Sequence, residues 1–405
     1  MPKKPKLIIL LALIGLIILY TVAQFTGWLL AAVLMFVLGS EFVNGFTDAP
    51  NAIGTVVATK ALPFLPAALG AAVLNAFGAT LGKGVAETIG KGIVDSQVIT
   101  LETLAGALLG IIIFSSGAAR FGIPTSESHA LVAGLSGAAL AEVGIGFNFS
   151  QPNIIIAFIA MPLLIFNTMI LFPRTNKLIT SGVGLVLGLI TACGYPKTDV
   201  IITDGWIKVG VGIVSALIIG YIGSWLLGKL IIKTCSNLSP TPANKTFKIL
   251  HIFSAGAMAL GHGLNDGQKF IGVFTLALLL GGKIDTFEIQ FWVVILCAGT
   301  MGIGTSFGGK KIIRVVGEKI SRLTQWQGFT ATTTAALIIE GVSHLGVPLS
   351  TTHTIVASIT GTGASKKISA VRWKYPWHIV QASALTFPIC GIIAFLTCKF
   401  LLLFK

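Results

Sequence analysis

Apolar runs about long enough to cross a hydrocarbon core of roughly 30 Å recur along most of this chain, and nothing else in it limits the fold so strongly. Met1–Lys6 carries Lys3, Lys4 and Lys6, and the apolar run Leu7–Ala23 follows. Others lie near Trp28–Val43, Leu62–Leu81, Leu101–Ser115, Ile154–Phe172, Gly182–Gly194, Val209–Ile232, Phe253–Leu280, Phe291–Gly304, Thr332–Leu345 and Val380–Phe404. In lipid only a helix or a closed barrel satisfies every backbone polar group, and runs of this length suit helices. The expected fold is therefore all-α and integral to the membrane, with about ten to twelve transmembrane helices. Gln24-Phe25-Thr26 after the first run is no small-residue cleavage site, so 1–26 is expected to be a retained helix rather than a signal peptide.

Composition agrees with this reading. Charged residues make up 10% and hydrophobic ones 54% of 405 residues, with a mean hydropathy of +0.91. A net charge of +14 would suggest nucleic acid in a soluble chain; here Lys and Arg collect in connections, where they set orientation. The polar stretch Lys229–Lys248 is expected to be a cytoplasmic linker loop, 229–248. It divides a first half, 27–228, from a second, 249–405. Met1–Lys6 and the cluster Lys310, Lys311, Arg314, Lys319 and Arg322 are placed in the cytoplasm by the same rule. The five cysteines are scattered, with no metal or redox spacing. No HExxH or Walker A sequence occurs and no metal ligands cluster, which argues against a metalloenzyme or an ATP-driven pump.

Two motifs repeat in the same order in the two halves. Asn44-Gly-Phe-Thr-Asp48-Ala-Pro-Asn51-Ala-Ile-Gly54 resembles His262-Gly-Leu-Asn-Asp266-Gly-Gln-Lys269-Phe-Ile-Gly272, at an offset of 218 residues. Gly122-Ile-Pro124-Thr-Ser126-Glu-Ser128-His129 matches Gly346-Val-Pro348-Leu-Ser350-Thr-Thr352-His353, at an offset of 224. With Met1 and the central stretch both inside, the two motif helices run in opposite directions, as in inverted repeats.

An acid within an apolar segment usually marks an ion pathway, and Asp48 and Asp266 recur beside Gly and Asn. Gly45, Pro50 and Gly54 are expected to break the first motif helix, and Gly261, Gly263 and Gly267 the second. A break frees carbonyls that, with carboxylate and amide oxygens, suit a small hard cation such as Na⁺. The candidate Na⁺ residues are Asp48, Asp266, Asn44, Thr47, Asn51 and Glu127, with Asn265 as a further amide. Lys269 stands where the first repeat has Asn51, and is expected either to neutralise a carboxylate or to touch an anion.

The Pro-x-Ser-x-x-His elements are expected to be tips of re-entrant helical hairpins, near 121–147 and 346–366. The returning half-helix would point its free N–H groups into the membrane, where a helix N-terminus binds oxyanions. Hydroxyls of Ser126, Ser128, Ser350, Thr351 and Thr352 would add donors, and the amides of Asn265 and Gln268 are counted with them. His129 and His353 are read as hairpin braces, and Glu87 as a loop or gate residue. A phosphate can donate hydrogen bonds to Asp48, Asp266 and Glu127, as a sulfate cannot.

Taken together these residues resemble the inorganic phosphate transporter (PiT) family. The resemblance rests on the duplicated Gly-x-x-Asp-x-x-Asn-like motif, on Gly263-Leu-Asn265-Asp266, on Ala86-Glu-Thr-Ile-Gly-Lys-Gly92 and on the two Pro-x-Ser-x-x-His tips, and spans about Gly39 to Gly363. It implies an inverted-repeat, often dimeric phosphate symporter coupled to Na⁺ or H⁺, with related sulfate carriers. The expected partners are inorganic phosphate, Na⁺, the lipid bilayer and a second copy of the chain, with no nucleic acid and no organic cofactor. The expected location is the plasma or inner membrane. Three positions depart from the family pattern: Phe46-Thr47 before Asp48, Asn75 where animal relatives are expected to carry an acid, and Gln268-Lys269 in place of a second Asn. They bear on the coupling ion and its stoichiometry more than on the fold. Na⁺ is preferred to H⁺, because a proton carrier needs only a titrating group and not a cage of oxygens. One acid per repeat implies more than one Na⁺ per phosphate.

Overall fold

Two helical hairpins, one in each half of the chain, meet tip to tip at the centre of the protein. The computed structural model describes residues 20–123, 125–147, 194–196, 200–307 and 313–404. The expectations for residues 1–19, for Ile154–Phe172 and nearly all of Gly182–Gly194, and for Pro124, Lys310 and Lys311, lie outside the described residues. Helices are numbered in chain order among those described.

The first half opens with α1 (Trp28–Ala58), which starts after Gly27 at φ 87°, a conformation that favours a residue without Cβ. Next come α2 (Phe64–Ala79) and α3 (Gly84–Gly92), bent by 69° to each other. The first hairpin is α4 (Leu101–Phe121) and α5 (Glu127–Val143). A two-stranded antiparallel ribbon pairs Ile145–Phe147 with Gly194–Pro196, and α6 (Thr203–Cys235) follows. The second half runs through α7 (Pro240–His262), a π-helical turn at Gly263–Gly267, α8 (Gln268–Leu280), α9 (Phe291–Phe307) and a second π-helical turn at Val315–Lys319. The second hairpin is α10 (Gln325–His344) and α11 (Thr351–Lys366), and α12 (Lys374–Leu402) closes the fold. Among the described residues α1, α4, α6 and α12 are long and apolar enough to cross a membrane, and the bent pair α2–α3 counts as one more. Ile207, Val214, Ile218, Leu226 and Leu230 of α6 are all exposed, an apolar strip that suits lipid rather than water.

The hairpins match bond for bond. Each entering helix opens on a threonine whose backbone N–H is capped by the side chain three residues on: Thr100 N to Thr103 Oγ1 and Thr324 N to Gln327 Oε1, both 3.0 Å. Each ends at a left-handed glycine, Gly122 or Gly346, both at φ 67°. The wrapping bonds are Ile123 N to Ala118 O and Val347 N to Val342 O. Each returning helix is capped by a serine, Ser126 or Ser350, that accepts from the N–H of His129 or His353.

Packing between the halves is reciprocal as well. A Cβ on Gly45 would sit 2.3 Å from Met301 O, and one on Gly263 would sit 1.9 Å from Asn75 O. One on Gly304 would meet Phe42 O at 2.3 Å, and one on Gly78 would meet Leu260 O at 2.0 Å. Each motif helix thus presses its backbone against the helix after the motif in the opposite half. The returning helices do the same: Gly137 of α5 abuts Gly391 of α12, and Gly361 of α11 abuts Tyr221 of α6. Contacts in which i meets j while the equivalent of j meets the equivalent of i are what a two-fold relation produces.

Three expectations change. Lys229–Lys248 is not a loop: α6 continues to Cys235 and α7 begins at Pro240, leaving four residues between. Proline suits the first helical turn, where its missing N–H costs nothing, so a polar stretch can be two helix ends. The first motif helix is unbroken, since α1 runs through Asp48 to Ala58 although Pro50 lies within its range. Gly45 serves the close approach of α9 rather than a break. The second motif helix keeps its course through a widened π turn at Gly263–Gly267, a feature that concentrates at functional sites.

Candidate functional site

Asp48, Glu127, Asp266, Ser128, Thr351 and Thr352 converge where α1, the π turn and the two hairpin tips meet, and each is at most 4% exposed. The tips hold one another by a reciprocal pair of bonds. Ser128 Oγ donates to Leu349 O at 2.8 Å, and Thr352 Oγ1 donates to Thr125 O at 3.0 Å. Both bonds connect positions equivalent under the offset of 224. The rings of His129 and His353 lie 5.0 Å apart beside them, with His129 stacked on Phe387, which fits the expected bracing role.

In the first half the acids accept hydrogen bonds from neutral groups. Asn51 Nδ2 donates to Thr352 Oγ1 at 2.8 Å, and Thr352 Oγ1 lies 3.4 Å from Asp48 Oδ1. Glu127 takes Thr47 Oγ1 at 3.0 Å and Ser115 Oγ at 2.7 Å. Asn44 Nδ2 reaches Glu41 at 3.2 Å. Glu41 Oε1, Asn44 Oδ1 and Asn51 Oδ1 are buried and have no hydrogen-bond partner among the described residues. A buried polar atom left this way carries a desolvation cost of about 1–3 kcal/mol, which a bound cation would offset for an oxygen.

In the second half the acid is fully enclosed. Asp266 accepts from Lys269 Nζ on one oxygen, and the other lies 2.8 Å from Thr351 Oγ1 and 3.0 Å from His262 Nε2. Lys269 Nζ also touches Ser128 Oγ, and Leu349 O at 3.1 Å, so its three donors have three acceptors. Of the two roles expected for Lys269, the structure shows the carboxylate partner. Oxygens of Asp48 and Asp266 and a nitrogen of His262 all lie within 4.8 Å of one another.

Four of the residues counted on the phosphate side have structural partners. Ser126 and Ser350 are helix caps. Asn265 braces the second tip, donating to Ser343 Oγ at 2.7 Å and accepting from Leu349 N at 3.4 Å. Gln268 Oε1 accepts from Val85 N at 3.2 Å, while its Nε2 is buried without a partner. Glu87 is exposed and lines a cleft of about 360 Å³ with Thr88, Lys91, Asp204, Lys208 and Gly346. The cleft reaches the second tip, because Thr88 Oγ1 donates to Gly346 O at 2.7 Å and Lys208 Nζ to Thr88 Oγ1 at 3.3 Å.

Three participants were missed in the sequence. Glu41 lies seven residues before Asp48, on the same helix face and inside an apolar run, so the rule that flagged Asp48 also flags Glu41. His262 precedes Asp266 by four residues, a facing pair on a helix. Ser115, on the entering helix, carries no such signal.

A bundle of apolar helices whose capped hairpin tips and buried acids share one enclosed centre is the architecture of a membrane carrier. Comparison with known proteins makes the class specific. The phosphate transporter family profile matches residues 44–394. A "probable low-affinity inorganic phosphate transporter" of Rhizobium meliloti (strain 1021) is 34% identical over 90% of this chain and 94% of its own length. One of the same description from Bacillus subtilis (strain 168) is 35% identical, over 87% of this chain and 91% of its own. A solved structure described as the sodium-dependent phosphate transporter shares the fold with a TM-score of 0.66, at 23% identity, covering 93% of this chain and all of that one. The chain belongs to the phosphate transporter family; it is a membrane transporter and not an enzyme.

Proposed function

We propose that this chain is a secondary transporter that imports inorganic phosphate across the cell membrane by symport with Na⁺. The observation that carries the reading is a mismatch of charge and donors at the centre. Among the described residues, four buried carboxyl groups, Glu41, Asp48, Glu127 and Asp266, share it with a single ammonium, Lys269. Carboxyl groups buried in excess take up either protons or counter-cations, and the unpartnered oxygens of Glu41, Asn44 and Asn51, on the α1 face that carries Asp48, favour a cation. Oxygens from a carboxylate, an amide, a hydroxyl and a carbonyl replace the hydration shell of a small hard cation. Asp48, Asn51, Thr352 and the Thr125 carbonyl form the core of that site, with Asn44, Thr47 and Glu127 beside it.

Phosphate is assigned to the place between the tips. The N-termini of α5 and α11 both end there, each with first-turn N–H groups that have no intrahelical acceptor. Ser128, Thr351 and Thr352 would exchange their present acceptors for the oxyanion, and Asp48 and Glu127 would accept from its hydroxyls. The reciprocal packing of the halves supports an inverted-repeat carrier, in which two similar bundles rock about a fixed central site. The bundle's name in the structural relative, a sodium-dependent transporter, agrees with Na⁺.

Proteoliposomes loaded with the purified chain test the reading. Uptake of labelled phosphate is followed at fixed pH with Na⁺ replaced by K⁺ or choline, then with a pH gradient and no Na⁺. Uptake that needs Na⁺ is expected; full uptake from the pH gradient alone would move the coupling to H⁺.

A further inference from the structure

We propose that the ammonium of Lys269 is a tethered cation that takes the place of one coupling ion in the second half of the site. The carrier then moves one fewer mobile cation per phosphate than its duplicated architecture implies. The inference rests on the reading of Asp48 as the cation site and extends it to the other repeat.

The repeat alignment places Lys269 at the position of Asn51, and the contacts of the two side chains are equivalent. Asn51 Nδ2 donates to Thr352 Oγ1, and Lys269 Nζ donates to Ser128 Oγ. Thr352 and Ser128 are themselves equivalent at the offset of 224. Around the first position stand the Asp48 carboxylate, the Thr352 hydroxyl and the Thr125 carbonyl, with Asn51 Oδ1 unpartnered. Around the second stand the Asp266 carboxylate, the Ser128 hydroxyl and the Leu349 carbonyl, and all three accept from Lys269 Nζ. The two oxygen sets are the same by residue role: carboxylate from the motif helix, hydroxyl from one tip, carbonyl from the other. In the first half no cationic side chain among the described residues bonds to that set, and in the second an ammonium on a four-carbon stem fills it. Lys269 is 1% exposed, so its charge is enclosed there.

This arrangement has a consequence for coupling. A mobile ion enters and leaves with each cycle and adds its gradient to the driving force, whereas a tethered ammonium stays. It holds Asp266, Ser128 and the second tip in register at every stage and draws nothing from the Na⁺ gradient.

The test compares wild type with Lys269→Asn, which copies the first repeat, in proteoliposomes of the full chain. The readouts are charge moved per phosphate, from the voltage at which net phosphate flux stops, and the ratio of labelled Na⁺ to labelled phosphate. In the variant about one more Na⁺ per phosphate is expected. Equilibrium binding of labelled Na⁺ to the purified variant is expected to rise by about one ion per chain, and added Na⁺ to raise its melting temperature more than that of wild type. The double variant Asp266→Asn/Lys269→Asn, which lacks the carboxylate, is expected to bind no additional ion. An unchanged ion count in a transporting K269N overturns the proposal, as does weaker phosphate affinity at an unchanged count, which would make Lys269 an anion ligand. A K269N protein that transports nothing and binds no additional Na⁺, or that fails to fold at any Na⁺ concentration, overturns it too. Wild-type uptake that ignores Na⁺ would instead refute the Na⁺ reading, while charge per phosphate would still report on Lys269.

Discussion

Asp48 and Asp266 occupy matched places in the two halves of the site, yet their surroundings differ. Asp266 has Lys269, His262 and Thr351 about it, whereas Asp48 has the Thr352 hydroxyl at 3.4 Å. A duplicated scaffold therefore does not imply a duplicated ion site. Both hairpin tips are conserved in backbone detail, down to φ 67° at Gly122 and Gly346, while the side chains they present have diverged. Glu127 on the first returning helix corresponds to Thr351 on the second. The acid of the Thr47–Glu127 contact sits on the hairpin, and the acid of the Asp266–Thr351 contact sits on the motif helix.

Removing the enclosed acid should do the most damage. Asp266→Asn strands a buried ammonium, and breaking a buried pair by deleting one partner costs about 3–5 kcal/mol. A marked fall in melting temperature in detergent is expected, together with loss of uptake. Asp266→Asn/Lys269→Gln removes both charges and is expected to recover most of the stability. If Asp266→Asn melts like wild type, the pair does not hold the second half together and the contrast with Asp48 is lost. The sequence leaves Lys269 between a carboxylate and an anion as partner, and the cost expected for this substitution follows from its contact with Asp266.

Asp48→Asn comes next, and it is the mirror experiment. No cation is left uncompensated, so stability should stay within about 1 kcal/mol of wild type, the range of a substitution that breaks no network. Na⁺-dependent phosphate uptake should nevertheless fall by about 100-fold, the loss of roughly 2.7 kcal/mol of coupling-ion interaction. Normal Na⁺-dependent uptake in this variant would remove the ion from the first half altogether.

What could be read from the sequence divides along the same line as local and tertiary structure. The hairpin tips are legible because the Pro-x-Ser-x-x-His pattern and the repeat offset are local signals, and the offset of 224 carries over to Thr100 and Thr324. Gly45 reads as a helix breaker in the sequence because a glycine's use depends on what passes beside it, and the Met301 carbonyl lies 256 residues away in the chain. The Lys229–Lys248 stretch reads as a loop because polar composition does not tell a loop from a helix end outside the membrane. The acids stood out by polarity against an apolar background, and Glu41 stood out equally. Which acid is free and which is paired needed three-dimensional placement of Lys269 and His262.

Truncating the two tip hydroxyls tests the comparison more gently. Ser128→Ala and Thr352→Ala should each weaken phosphate affinity by about 1–3 kcal/mol, the cost of leaving a buried partner unmet. Only Thr352→Ala should also raise the Na⁺ concentration needed for half-maximal uptake, since only Thr352 faces the open oxygen set of Asp48 and Asn51. Equal Na⁺ dependence in the two variants would make the halves equivalent toward the ion. Unchanged phosphate affinity in both would reduce the hydroxyls to packing between the tips.

The smallest effects are expected where the halves are most alike. Ser126 and Ser350 each accept from the N–H of the histidine three residues on, at 3.4 and 3.3 Å, and neither hydroxyl faces the acids through a direct bond. Their role is to satisfy a first-turn donor, and loss of such a cap costs about 0.5–2 kcal/mol of stability. Ser126→Ala and Ser350→Ala should therefore lower the melting temperature by similar amounts, because the two tips share one backbone design. Phosphate affinity should change less than in Thr352→Ala, since a cap orients the helix N-terminus without lending a donor to the anion. The pair serves as an internal control for the asymmetry between Asp48 and Asp266: the scaffold responds equally in both halves while the ion site does not. A loss of phosphate affinity in Ser126→Ala or Ser350→Ala as large as in Thr352→Ala would return these serines to the anion site and place the oxyanion deeper against the caps than the tip hydroxyls suggest.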